Sequence, residues 1–173
     1  MTIIEILELF ADDAPVAVLA TDALLGEPGP RVVYANGAFG ALTGHDPPAI
    51  LGRSPRFMQG RETRRPALDA FGAALAGGRR FHGYLANYRR DGARYLVEID
   101  CRPIREGEGP ISHYIAFQRE VARRRGRPAG NRFARYEPVS IQDDGLPRAL
   151  RGYGIFAGEA RDGDGREEEH AGA

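Results

Sequence analysis

Three apolar-patterned runs, Arg80–Tyr88, Ala93–Arg105 and Ile111–Val121, follow one another through the turn segments Arg90-Asp91-Gly92 and Glu106–Pro110. Connections that short, each carrying glycine, join antiparallel neighbours, so the second half of the fold is a three-stranded meander. Two shorter strands, Val16–Thr21 and Arg31–Ala35, precede it around a Gly/Pro-rich turn. Between the two groups lie helical signals. Asn36 is placed to cap a helix over Ala38–Leu42 that Gly44 closes, short helical turns fill 46–60, and Thr63–Ala76 is a longer helix ended by Gly77-Gly78. Thr2-Ile3-Ile4-Glu5 reads as a capping box opening an N-terminal helix with Ile3, Ile6, Leu7 and Phe10 on one face. The pattern predicts an α+β fold: a five-stranded antiparallel sheet with helices packed on one face, an N-terminal helix and a C-terminal extension.

Composition narrows the function classes. The formal net charge is zero over 173 residues, which argues against nucleic acid or an anionic membrane as partner. All 24 basic residues are arginine, which no single site requires and which reads as a coding bias. Cys101 is the only cysteine, so there is no intrachain disulfide and no cysteine-cluster metal site, and a reducing cytosol is expected. His45, His82, His113 and His170 have no ligand spacing. MTIIEILELF carries an acid within its apolar run and lacks a basic leader, so it does not read as a secretory signal. No apolar run approaches the ~20 residues of a membrane span. A soluble, cytoplasmic protein is the expectation. No phosphate loop, zinc-protease helix or nucleophile elbow is present, and RDGDG at 161–165 leaves too few residues to close a calcium loop. The chain is therefore read as no enzyme.

Past Val121 the composition changes. Residues 122–135 carry six arginines and no acid, whereas 136–173 carry nine acids against four arginines. The expected organisation is an N-terminal helical cap over 1–13, one domain over 14–121, and a basic linker with an acidic, partly disordered tail over 122–173. Within the tail, ALRGYGIFA at 149–157 is apolar enough to dock.

GRSPRFMQG at 52–60 resembles the GRNCRFLQG signature of the light-oxygen-voltage (LOV) subfamily of PAS domains. The similarity extends to YANGAFGALTGH (34–45), Glu62-Thr63, NYRRDG (87–92) and YIAFQ (114–118), and covers roughly residues 14–121. It implies a PAS fold holding flavin mononucleotide, or alternatively FAD or riboflavin, between the helices and the inner face of the sheet. By position, Arg56 corresponds to a phosphate-binding arginine, Gln59 to the glutamine beside it, Asn87 to the first of two asparagines on the pyrimidine edge, and Gln118 to the glutamine that contacts the ring and relays the signal. The resemblance also implies Thr21, Ser54, Leu68, Phe71, Leu75, Val97, Ile99, Cys101, Tyr114 and Ala116 as cofactor-binding positions. Four departures are visible: Pro55 replaces the photoactive cysteine, Ser54 the adjacent asparagine, Val97 the second pyrimidine-edge asparagine, and Gly72 the second phosphate arginine.

The residues carry part of this reading themselves. Strand parity places Val97, Ile99 and Cys101 on one face, and Tyr114, Ala116 and Gln118 on one face of the last strand. A small Ala116 between two larger groups leaves room for a flat ligand, and an amide facing an apolar interior needs a partner. Each residue also has a plainer reading: Arg56 as a surface arginine, Asn87 as a turn residue, Cys101 as a small apolar core residue and Gln118 in a filled core. Ser54 followed by Pro55 is a favoured helix start that retains the turn while removing the nucleophile. The expected function is a blue-light or redox sensor working through flavin photoreduction, with Tyr114 the local electron donor and rotation of the Gln118 amide the output. The alternative is a flavin-free PAS module for dimerisation or partner binding. Leu96, Ile115 and Phe117 on the outer face are expected to be covered by the N-terminal helix or by a second subunit; a homodimer with these residues, Leu7 and Phe10 as contacts is expected, and a downstream signalling protein is expected but unidentified.

Overall fold

The computed structural model describes residues 1–126, 135–139, 150 and 152–158. The chain runs α1 (Ile3–Ala11), β1 (Ala17–Asp22), β2 (Val32–Ala35), α2 (Gly37–Thr43), α3 (Pro47–Ile50), a 3-10 turn at Pro55–Met58, α4 (Arg65–Ala76), β3 (Phe81–Tyr88), β4 (Arg94–Arg105), β5 (Ile111–Arg123) and β6 (Tyr136–Pro138). The sheet is antiparallel in the order β2-β1-β5-β4-β3, with β6 pairing β5. The five expected strands and the intervening helices are all present. β6 is an addition: residues placed in a linker instead extend the sheet beside the end of β5. The acidic tail, RDGDG and His170 lie outside the described residues, as does most of the basic run. No helix among the described residues is long and apolar enough to cross a membrane.

Local chemistry accounts for the helix ends. Thr2 and Glu5 make the reciprocal capping box of α1. Gly44 ends α2 in the left-handed conformation at φ 74°, where a side chain would be strained. Asn36 is more than a cap. Its Oδ1 accepts from the N–H groups of Val18 and Phe39, both at 3.0 Å, while its Nδ2 donates to the carbonyls of Ala11 (2.8 Å) and Val16 (2.9 Å). One buried amide thus joins the end of α1, β1 and α2.

Alternation divides the strands between two faces. Inward, Phe81, Leu85, Val97, Ile99, Cys101, Tyr114 and Ala116 pack beneath α4, whose Phe71 ring stacks on Phe81 at 4.3 Å. Outward, Val16, Val18, Ala20 and Ile115 meet Leu7 and Ile3 of α1, and Phe117, Leu150 and Phe156 close over them. These outward residues are therefore covered within the chain, by α1, Leu150 and Phe156. Of the two covers expected for this patch, the N-terminal helix is the one present: Leu7 and Ile115 are buried in intramolecular packing, and Phe117 is partly buried with them. On α1 the apolar face is also narrower than expected, because Leu7 turns inward whereas Phe10 is 76% exposed.

Candidate functional site

α4 stands off the inner face of the sheet and encloses a cavity of about 650 Å³, within the range of small-molecule sites. The sheet supplies Leu19 and Thr21 from β1, Leu85 and Asn87 from β3, Ile99 and Cys101 from β4, and Tyr114, Ala116 and Gln118 from β5. Leu68, Phe71, Gly72 and Leu75 of α4 form the opposite wall. The mouth carries Glu27 and Pro30 of the β1–β2 connection, Ser54, Arg56 and Gln59 around the 3-10 turn, and Arg65 and Asp69 of α4.

Thirteen of the fourteen residues proposed from the sequence line this one cavity; Val97 does not. Val97 is fully buried in the inner core and paired across the strands with Leu85. Leu19 and Leu85 went unnamed, although each shares strand parity with a residue that was named, Thr21 and Asn87. Glu27 and Pro30 sit in a turn, where no periodic signal points to a cavity.

The polar groups are few. Tyr114 donates its hydroxyl hydrogen bond to the Leu75 carbonyl at 3.1 Å, and burial raises its pKa. The Cys101 thiol, fully enclosed, is pushed up to about 12 by burial and by the Asp100 charge, so it stays protonated. Pro55 opens the 3-10 turn behind the Ser54 cap and brings no thiol to the wall. Among the described residues three buried side-chain atoms lack a hydrogen-bond partner: His82 Nδ1, the Tyr95 hydroxyl and Gln118 Oε1. Of these residues only Gln118 lines the cavity. A buried amide oxygen without a donor costs about 1–3 kcal/mol.

Behind Gln118, β5 leads outward. Arg119, the next residue, donates to Glu98 Oε2 at 2.7 Å, and Glu98 Oε1 lies 2.8 Å from His82 Nε2. The Arg119 guanidinium also stacks over the Phe156 ring at 4.3 Å. Phe156 in turn donates its backbone N–H to Asp100 Oδ2 at 2.8 Å. Burial would raise the Asp100 pKa, but hydrogen bonds from Arg80, Arg102 and Phe156 outweigh it and hold the carboxyl below the usual range.

Residues 16–123 match the PAS domain family. The chain is 34% identical over 113 residues to the bacterioopsin transcriptional activator of Halobacterium salinarum, covering 65% of this chain and 16% of that one. It is similar to a solved structure of the blue-light photoreceptor Aureochrome1 LOV domain in its light state, at 35% identity and TM-score 0.56, covering 61% of this chain and 87% of that one. It is also similar to a LOV domain studied with a flavin analogue, at 29% identity and TM-score 0.59, covering 68% of this chain and 83% of that one. The match spans only about a tenth to a fifth of the length of the curated relatives.

Proposed function

Because this chain belongs to the PAS domain family, in its light-oxygen-voltage branch, we propose that it is a flavin-binding sensor of blue light or redox state that signals without a cysteine adduct. The observation that carries the proposal is Gln118: a buried amide in a cavity wall, its oxygen unpaired. The residues fit a flavin. Leu68, Phe71 and Leu75 face Ile99 and Ala116 across a space suited to a flat ring, Asn87 and Gln118 supply polar contacts, and Arg56 stands at the mouth. Solved neighbours described as a LOV domain probed with a flavin analogue and as a blue-light photoreceptor support the same reading.

When bound, a flavin supplies blue absorption and reversible reduction. The protein's own part is to bind, shield and respond. Pro55 offers no nucleophile, and the Cys101 thiol, held protonated, is a poor one. Tyr114 is the one phenol among the lining residues and the candidate electron donor, its proton held toward the Leu75 carbonyl. Gln118 presents an oxygen that accepts and an amide nitrogen that donates, so rotation of its side chain answers a change of protonation at the group it faces. Because Arg119 follows it on the outer face, strain in β5 at Gln118 passes to Glu98 and to the stacked Phe156. The output is a change in how the 152–158 segment sits on the sheet.

Hydrogen exchange on flavin-loaded protein, oxidised against reduced, tests this. Faster exchange is expected in residues 152–158 on reduction, and no difference in a Gln118→Leu variant. Equal exchange in both redox states of the native protein would refute the relay.

A further inference from the structure

The mouth of the cavity holds two arginines, and each already has an anion. Arg56 Nη1 lies 2.9 and 3.1 Å from the two carboxylate oxygens of Glu27. Arg65 Nε lies 2.8 Å from Asp69 Oδ1. These four charges sum to zero. Gly72 brings no side chain to the mouth, and a Cβ there would meet nothing within 4 Å.

The turn bearing Glu27 is seated closely on Arg56. Gly29 has φ +103°, and a Cβ there would stand 3.2 Å from the guanidinium carbon and 3.1 Å from Ser54 Oγ. Only glycine permits both the conformation and the approach. The connection between β1 and β2 thus carries its carboxylate to the one guanidinium at the mouth that leans over the 3-10 turn.

A phosphomonoester carries about −1.5 to −2 charges at neutral pH and is best held by a guanidinium free to bond it. We infer that Glu27 is a specificity-determining residue, which competes with the terminal phosphate of a phosphorylated flavin for Arg56. The native cavity therefore selects for the flavin ring and ribityl chain, and gains little from the phosphate. The inference rests on the flavin reading of the cavity. Competition is partial rather than absolute, because the Glu27 side chain is 86% exposed and Arg56 49% exposed. A pair so hydrated is weak and yields part of the site to a stronger anion.

The test is a titration of flavin-free protein at low salt with riboflavin and, separately, with flavin mononucleotide, followed by quenching of flavin fluorescence. The native dissociation constants are expected within about threefold of each other. Glu27→Gln, at an exposed position, is expected to tighten flavin mononucleotide about three- to tenfold and riboflavin less than about twofold, the gain disappearing near 1 M salt. In an Arg56→Gln background the same change loses its effect, because the group both anions compete for is gone. Equal tightening of both flavins, no tightening of flavin mononucleotide, or an undiminished gain without Arg56 would overturn the role of Glu27 while leaving the cavity a flavin site. Binding of neither flavin by the native protein would overturn the flavin reading, and the inference with it.

Discussion

Replacing Asp100 by asparagine removes the negative charge of the most deeply buried carboxylate among the described residues and leaves its shape almost unchanged. Asp100 is fully buried on β4. Its oxygens accept from Arg80 Nε and Nη2 at 2.9 and 2.6 Å, from Arg102 Nε and Nη2 at 3.1 and 3.2 Å, and from the Phe156 N–H at 2.8 Å. Breaking a buried pair by removing one partner costs about 3–5 kcal/mol. Two features reduce that here. Arg80 and Arg102 are 36% and 26% exposed, so water screens them. Both also donate to carbonyls of the docked segment: Arg80 to Gly154 and Ala157, Arg102 to Tyr153 and Gly154. Asparagine retains one acceptor oxygen as well. The expected loss is about 2 kcal/mol, which at a urea m-value of about 2 kcal/mol/M lowers the midpoint by about 1 M. Proteolysis within 152–158 should accelerate, because the Phe156 N–H loses a charged acceptor. The pH dependence has a definite sign. The folded-state pKa of Asp100 is depressed, so its contribution is present above the unfolded value of about 3.9. The difference between native protein and Asp100→Asn should therefore hold at neutral pH and vanish as pH falls through the folded pKa, below about 4. A midpoint shift under about 0.3 M at neutral pH would refute the idea that Asp100 anchors the segment.

Gln118→Leu should have opposite effects in the two ligation states. Without flavin it removes an unpaired buried oxygen and stabilises the fold by about 1 kcal/mol in urea denaturation, whereas with flavin it weakens affinity. A loss of stability without flavin would show that the amide already has a partner. Val97→Asn, at the position where the LOV pattern has a second asparagine, should cost about 1–3 kcal/mol without improving flavin affinity, because Val97 is fully buried and is not among the cavity-lining residues; tighter binding on titration would count against the cavity boundary. Pro55→Cys should retain the fold for about 0.4–1 kcal/mol and convert flavin-loaded protein to one that bleaches in blue light and recovers in the dark; unaltered photochemistry in a folded variant would place residue 55 away from the ring. A homodimer through the exposed Ile6, Leu9 and Phe10 of α1 should dissociate on Phe10→Glu in sedimentation, and an unchanged profile would exclude that face.

The sheet was legible because alternation and turn residues both act locally. The hairpin at Arg90-Asp91-Gly92, the Thr2–Glu5 box and the Asn36 cap with Gly44 all stand where nearest-neighbour chemistry puts them. Alternation also put Val97, Ile99 and Cys101 on one face of β4, and Tyr114, Ala116 and Gln118 on one face of β5, without saying which face is inner. What local signals do not carry is depth along a strand. Val97 has the right parity, yet it is buried in the core and does not line the cavity. Distant partners were equally hidden. Asp100 reads as a solvent-facing acid by parity, and only the return of Phe156 from 56 residues away makes it an anchor. β6 is three residues beside an arginine-rich run, too short for periodicity to register. Glu27 belongs to a turn whose path over Arg56 is set by Gly29, a glycine that in sequence is indistinguishable from any other loop glycine.

The most direct test of the account is the absorption spectrum of the native protein, mixed with flavin in the dark and then freed of unbound flavin by gel filtration. A vibrationally structured blue band that travels with the protein is expected, bleaching under blue light to reduced flavin without a thiol-adduct band, and weakened in Gln118→Leu. A protein that emerges colourless, with an unchanged thermal midpoint after mixing with riboflavin or flavin mononucleotide, would contradict the flavin site and leave a PAS module whose cavity serves some other ligand.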